Sequence, residues 1–413
     1  MPSDDLYRKQ IARLFQRSEF YKSKLRAAGL DSPAAVGGLE RIAELPFTEK
    51  DELRQSQAAH PPLGAHAAVE IAQVARIYST SGTSGTPLYI PLTKHDVEDW
   101  REIGRATYSR NGLKAGERVV TTYGAGPFVA GASLAAFEAI GCTHIPVGTG
   151  NTEKLLAVLE QLAPQALACT PSYAMYVAEK LSSSRTSLER IIVGGEPGGG
   201  EESFRRKLEA AFGACVYEIM GIGDIAASLW GECEAQAGMH FSGEGIIHVE
   251  LIDPETNKSV ELKDQAKGEL VYTHLRREAA PLLRFRSRDH VQVWRSRCSC
   301  GNTSLRVRCI GRTDDMLIVR GVNVFPSAVR EVVARFQPRV TGAIQIRPKR
   351  RGVKQDPPLK IVVEASAEAG LAEQIAKEVR NALVFTPEVE LVPPETLPRT
   401  EYKSKLVDYS EAK

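Results

Sequence analysis

The chain reads as an α/β protein: a large N-terminal domain of mainly parallel sheets flanked by helices, with a β-rich subdomain, joined through a hinge to a small α+β C-terminal domain. Three observations predict it. From about residue 76 to 225, β-branched apolar runs alternate with amphipathic stretches; after residue 245, strand-like runs follow one another without helices; beyond residue 311 a shorter mixed unit begins. A length of 413 residues exceeds what one hydrophobic core usually organises, so two domains are expected, 1–313 and 314–413.

In the first region the segments 118–124, 142–147, 166–171, 190–196 and 214–220 have strand character, and 131–141, 151–162, 172–181 and 201–213 between them have helical spacing. Such β/α alternation favours a mainly parallel sheet with helices on its faces. Segments 245–253, 267–275 and 290–294 then read as strands of the β-rich part. The last region reads as strand 315–320, helix 327–336, strands 341–348 and 359–366, helix 371–383 and a short strand at 388–392. The basic stretch 348–356 is most simply a solvated hairpin loop.

Composition narrows the function classes. Hydrophobic residues at 43% and charged residues at 25% describe an ordinary folded protein rather than a disordered or fibrous one. Lys and Arg number 53 against 51 Asp and Glu, a formal charge of +2, too little to draw nucleic acid or an anionic membrane. No apolar run is long enough to span a bilayer, and the opening MPSDDLYRKQ lacks the apolar stretch of a secretory signal; a cytoplasmic enzyme is expected. Seven cysteines, an odd number, argue against a disulfide framework in such a chain.

The segment Tyr78-Ser79-Thr80-Ser81-Gly82-Thr83-Ser84-Gly85-Thr86-Pro87 follows a predicted strand and is dense in hydroxyls and glycine. Glycines allow backbone N–H groups to turn toward an anion, and Ser and Thr add short donors, so a nucleotide triphosphate is the natural guest. No Lys follows the second glycine, which separates it from the G-x-x-x-x-G-K-[ST] loop. Taken alone, a plain surface loop has the same composition.

The order of this loop closely resembles the phosphate loop of the adenylate-forming superfamily, which includes acyl-CoA synthetases, luciferases and peptide-synthetase adenylation domains. Further landmarks follow in the superfamily's order: Gly194-Gly195-Glu196-Pro197, Met220-Gly221-Ile222-Gly223-Asp224, Arg286-Ser287-Arg288-Asp289, Gly311-Arg312-Thr313-Asp314-Asp315 and Pro398-Arg399-Thr400-Glu401-Tyr402-Lys403. Within the superfamily, LPFTEKDELR at 45–54, YGAGPFVAG at 123–131, GTGNTEKL at 148–155 and GRTDDMLIVRGVNVFPSAVREV at 311–332 resemble the phenylacetate-CoA ligase branch.

The resemblance implies ATP-dependent conversion of a small carboxylic acid to an acyl-adenylate, then transfer to the thiol of coenzyme A. Nucleotide contacts fall on Ser81, Gly82, Thr83, Ser84, Gly85, Thr86, Gly195, Glu196, Pro197, Met220, Gly221, Asp289 and Arg312. Asp289, with two oxygens, suits the ribose hydroxyls; an ion pair with Arg286 or Arg288 is its alternative. Lys403 bridges carboxylate and α-phosphate, where negative charge builds up during attack. Its alternative is a solvated lysine in a basic tail. Asp224 offers a hard oxygen to Mg2+ on the departing pyrophosphate, or caps the segment after it. Asp314 is the expected pivot for rotation of the small domain.

The acid pocket is expected around Tyr123, Gly124, Phe128 and Gly221, with Tyr123, Phe128 and Met220 giving an apolar, partly aromatic wall suited to an aryl or arylacetic acid. Tyr123 and Phe128 are equally readable as core aromatics. Four positions depart from the superfamily's pattern: Met220 replaces an aromatic, Gly223 a hydroxyl residue, Asp224 a Glu, and Tyr402 a glycine. A lost hydroxyl costs on the order of 1 kcal/mol, so a slow or specialised enzyme is compatible with these changes.

Cys233, His240, Cys298 and Cys300 form the closed thiolate and imidazole set that structural zinc prefers. Members of the same branch can carry zinc in this region. Buried free cysteines are the alternative, Cys309 is a substitute ligand, and Cys142, Cys169 and Cys215 are expected in core strands. Two further functions stay open: transfer to a carrier-protein phosphopantetheine or an amine, and a degenerate nucleotide-binding protein. A homodimer is compatible with either.

Overall fold

The computed structural model describes residues 3–80, 87–124, 129–148, 150–181, 186–196, 198–320, 322–366, 368–398, 406–410 and 412. Its N-terminal part, for which the sequence reading proposed no elements, is helical: Ser3–Arg17, Glu19–Ala27, Pro33–Val36 and Lys50–Ala59. Tyr7, Ile11, Leu14, Tyr21 and Leu25 lie along one face of the first two helices and pack with Leu275 and Leu283 of the main body. The helix Lys50–Ala59 begins with a reciprocal box in which Glu49 and Glu52 satisfy each other's backbone N–H groups. That box holds the residues just before it against the large sheet: Thr48 N donates to Arg284 O and Arg286 N to Thr48 O, at 2.9 and 3.0 Å.

Among the described residues, twelve strands form that sheet. One half is parallel, in the order Thr143–Pro146, Arg118–Thr121, Ala166–Cys169, Arg190–Val193, Cys215–Ile222. The other half is antiparallel and runs through Ala226–Glu232, Met239–Phe241, Arg306–Arg312, Phe285–Trp294, Lys267–His274, Ile247–Ile252 and Ser259–Val260. Buried apolar residues on both faces of the parallel strands, such as Leu167, Ala168, Ile191 and Ile192, reflect the helices that cover them.

The β-rich part is therefore an extension of the parallel sheet, where the sequence reading expected an added subdomain. Cys215–Ile222 makes the join. Its first half pairs in parallel with Arg190–Val193 through Cys215 to Glu218, and its second half pairs antiparallel with Ala226–Glu232 through Ile219, Met220 and Ile222.

Beyond Arg312 a second core assembles from Leu317, Val329, Val333, Ile346, Ile361, Val363, Ile375 and Val379. It lies between two small sheets and the helices Pro326–Ala334 and Leu371–Leu383. The basic stretch 348–356 connects Val340–Arg347 to Leu359–Ala365, with Lys349, Arg350 and Arg351 exposed. Among the described residues no helix is long and apolar enough to cross a membrane.

Candidate active site

Open α/β sheets accept ligands outside the carboxyl ends of their parallel strands, and in this sheet those ends lie beside the place where Cys215–Ile222 changes from parallel to antiparallel pairing. Most of the predicted nucleotide residues that the structure describes gather there. Gly195 and Glu196 follow Arg190–Val193; Tyr123 and Gly124 follow Arg118–Thr121; Met220 and Gly221 are on the joining strand. Gly221 has a strict steric reason: a Cβ there would lie 1.8 Å from the Ala227 carbonyl oxygen. Gly195 has φ +95°, a conformation that L side chains rarely adopt. Glu196 Oε1 accepts from Ser172 N at 2.7 Å, which ties the loop to the start of the helix Pro171–Lys180. Tyr123 is buried, and its hydroxyl donates to Cys169 O at 2.9 Å.

Asp224 sits in the turn between Cys215–Ile222 and Ala226–Glu232, so the segment it was expected to cap is a strand. Its carboxylate is 5% exposed, and Oδ2 accepts from Lys50 Nζ at 2.8 Å. Oδ1 is buried with no hydrogen-bond partner among the described residues. A buried carboxylate oxygen without a donor is costly, and a hard cation is the partner that fits it. His66 and Arg277 also feel this charge. Burial pushes the His66 imidazole down to about 4, which leaves it neutral, with Nδ1 3.0 Å from Ser56 Oγ.

Lys50 was quoted in the sequence only as part of a family landmark. Its role beside Asp224 was missed because the two residues are 174 positions apart. The signal was the position of LPFTEK immediately before a capped helix, with nothing in the sequence to say what Lys50 faces.

Asp289 and Arg312 are register partners on neighbouring strands, which brings Arg312 Nη1 to 2.9 Å from Asp289 Oδ1. The same guanidinium holds Asp314 through Nε and Nη2, both at 2.9 Å. Asp289 thus pairs with neither Arg286 nor Arg288. Arg286 is committed to Glu269 at 2.8 Å and Arg288 to Glu49 at 2.6 Å. Burial raises the Asp289 carboxyl above its ordinary value and Arg312 opposes that rise. Arg312 is held firmly protonated by Asp289 and Asp314 against the cost of its own burial. The predicted ribose residue and the predicted pivot therefore share one cation.

Ser81, Gly82, Thr83, Ser84, Gly85, Thr86, Pro197, Phe128 and Lys403 lie outside the described residues. The flanks of the phosphate loop are placed: Ser79 pairs with Tyr89, and Thr80 N donates to Leu88 O at 3.0 Å, so 81–86 connects two antiparallel strands. The flanks of 399–405 are placed as well: Leu397 N donates to buried Glu364 at 2.7 Å, and Ile346 N to Leu406 O at 2.7 Å.

Elsewhere in the sheet, Cys233, His240, Cys298 and Cys300 converge, with ligand atoms all within 4.8 Å of one another. Cys233 Sγ and Cys298 Sγ are 3.8 Å apart, and Cys300 Sγ is 3.6 Å from His240 Nε2. A tetrahedron with Zn–S bonds of about 2.3 Å has edges of roughly 3.8 Å, so the donor set fits zinc. Ser304 Oγ lies 3.1 Å from His240 Nδ1, which leaves Nε2 for the thiols, as an outer-shell partner does. Burial, then Arg110 and Arg306, lowers His240 to about 4, so the ring is neutral and able to ligate. Cys309 is not in the cluster; its Sγ faces Gly311 O at 3.7 Å. Cys142 and Cys169 are buried as expected, whereas Cys215, at the beginning of its strand, is exposed.

Residues 321–409 match the family model of the AMP-binding enzyme C-terminal domain. The chain is 33% identical to a phenylacetate-coenzyme A ligase of Thermus thermophilus over 96% of this chain and 93% of that one. It is 28% identical to a phenylacetate-coenzyme A ligase of Escherichia coli, covering 94% and 90%. Among solved structures, a 2-hydroxyisobutyryl-CoA ligase in the postadenylation state, bound to R3-HIB-AMP, matches with TM-score 0.89 at 26% identity, covering 98% of this chain and 88% of that one. The same ligase with 2-HIB-AMP and CoA in the thioesterification state matches with TM-score 0.71 at 27% identity and the same coverage.

Proposed function

The chain belongs to the phenylacetate-coenzyme A ligase family of adenylate-forming enzymes, AMP-forming acid–CoA ligases, and we propose that its acid is a small aromatic or arylacetic one. The curated relatives at 28% to 33% identity are named for phenylacetate, and half-buried Met220 puts apolar surface on the joining strand, while Tyr123 is taken up by the core. The observation that carries the mechanism is Asp224, buried at the switch point with one oxygen on Lys50 and the other without a partner among the described residues.

In this reading a carboxylate oxygen of the acid attacks the α-phosphorus of ATP and pyrophosphate leaves. The thiol of CoA then attacks the acyl carbon and AMP leaves. Asp289 receives the ribose hydroxyls, and Arg312 keeps its carboxylate charged for that purpose. The loop 81–86 and Lys403 supply donors and positive charge to the α-phosphoryl oxygens. Mg2+, held through Asp224, would neutralise charge on the pyrophosphate. Lys50 fixes the orientation of that carboxylate.

The small C-terminal unit, taken as 314–413, turns about Asp314 between the two steps. The higher TM-score against the postadenylation structure supports assigning the arrangement described above to the state that follows adenylation and precedes thioester formation. The Cys233, His240, Cys298 and Cys300 set would hold zinc in a structural role, its donors all supplied by the protein.

The test is pyrophosphate release across phenylacetate, benzoate and 2-hydroxyisobutyrate, each with CoA, with a phosphopantetheinylated carrier protein and with neither. Release with the aryl acids, and thioester product with CoA, is expected. Release with 2-hydroxyisobutyrate alone overturns the substrate class. Thioester formation on the carrier but not on CoA overturns the acceptor.

A further inference from the structure

Arg330 lies on the helix Pro326–Ala334, inside the stretch that matches the C-terminal domain family, yet its guanidinium is buried in the large domain. Nη2 is 2.7 Å from Glu201 Oε1 and Nε is 3.3 Å from Oε2. The two side chains are only 13% and 12% exposed. Glu201 stands immediately before the helix Glu202–Phe212 and makes no capping bond of its own there. Gly198 makes room, since a Cβ at that position would be 3.3 Å from Arg330 Nη2.

The loop that receives Arg330 is the continuation of Gly194-Gly195-Glu196. From its other side Arg205 donates to Gly199 O at 3.0 and 3.1 Å and pairs with Glu232 at 2.6 Å. One arginine of the large domain and one of the small unit therefore clasp the same loop, and only the second leaves if the small unit turns.

We propose that the Arg330–Glu201 pair is a latch that holds the small unit against the loop following Gly194-Gly195-Glu196 for adenylation and breaks before thioester formation. The proposal rests on the two-step reading given above. A bidentate pair out of water is strong only while both members are present. Removing one leaves a lone buried charge in the latched posture, whereas in the turned posture both groups are hydrated and lose nothing. The change therefore acts on the balance between postures, by the difference in interaction between them.

The experiment measures the two half-reactions separately in Arg330→Met, Glu201→Gln and the exchanged double variant R330E/E201R. Acid-dependent ATP–pyrophosphate exchange reports the first step, and thioester formation from supplied acyl-adenylate and CoA reports the second. Each single variant is expected to slow exchange about tenfold or more, leave the second step unchanged or faster, and be partly rescued by the exchange of charges. Equal losses in both steps, no loss in either, or no rescue in a folded double variant overturns the latch. If a single variant fails to fold, Arg330→Lys, which keeps the charge but loses the fork, takes its place with the same expected asymmetry. Absence of exchange in the unaltered protein would instead remove the two-step reading itself.

Discussion

Among the described residues, one cluster of metal-type ligands and one buried carboxylate at the switch point differ in how fully their donors are committed. Around the cysteines every ligand atom faces the others, and His240 is braced from behind by Ser304. At the switch point, Asp224 has one oxygen paired with Lys50 and the other without a partner among the described residues. A saturated set supports structure, while a buried donor left open is a cost that folding alone would not retain. Their places in the sheet separate the two as well: the cysteine cluster lies in the antiparallel half, whereas Asp224 stands where that half meets the parallel one.

Mutations in the two regions should therefore diverge, chemistry failing in one and stability in the other. The largest effect is expected for Lys403→Ala, with acid-dependent exchange reduced about a thousandfold and ATP binding measured by calorimetry nearly intact; unchanged turnover would remove this lysine from the mechanism. Asp224→Asn should lower kcat about a hundredfold and raise the Mg2+ concentration needed for half-maximal rate, with little change in thermal stability. A stability loss without a change in metal dependence would place Asp224 on the structural side.

For the cysteines the expectation reverses. Cys298→Ser should remove one zinc per chain by elemental analysis and destabilise the fold by on the order of 4 kcal/mol, while the molecules that remain folded adenylate at near-normal rate. A zinc-free parent of full stability would discard the site.

The smallest effect concerns Glu218, on the joining strand between the two regions. Burial, and next the neighbouring Glu232 carboxylate, raises it from 4.5 to about 7. A carboxyl raised on folding is destabilising once ionised, so its cost grows as pH rises from 4.5 to about 7 and is constant above that. Glu218→Gln should thus be more stable than the parent by about 3 kcal/mol at pH 8 and show no gain at pH 4. Denaturant melts at the two pH values check this, and a gain of equal size at both would mean that charge is not the cause.

Much of this organisation was legible in the sequence because it is local. The strand at 190–193 and its glycine turn, the helix 371–383 and the strand at 387–392 follow from periodicity and turn residues alone. Asp289 and Arg312 were singled out separately as nucleotide contacts, but not as a pair, since their contact depends on the register of two strands 23 residues apart. Lys50 facing Asp224 and Arg330 facing Glu201 are contacts across 174 and 129 positions, and no periodicity encodes them. The N-terminal helices escaped notice because much of their apolar surface is spent on Leu275 and Leu283 of the sheet, partners invisible from the helices' own sequence. Cys215 was misplaced in the core because a residue at the very start of a strand carries the strand's pattern without its burial.

The central claim is that the switch point of the sheet receives the nucleotide. A crystal structure with a non-hydrolysable ATP analogue and Mg2+ tests it directly. Both ribose hydroxyls should lie within about 3 Å of the Asp289 carboxylate, with the metal bound to Asp224 directly or through one water. A nucleotide bound elsewhere, with Asp289 still occupied by Arg312 alone and Asp224 still bare on one oxygen, would contradict it.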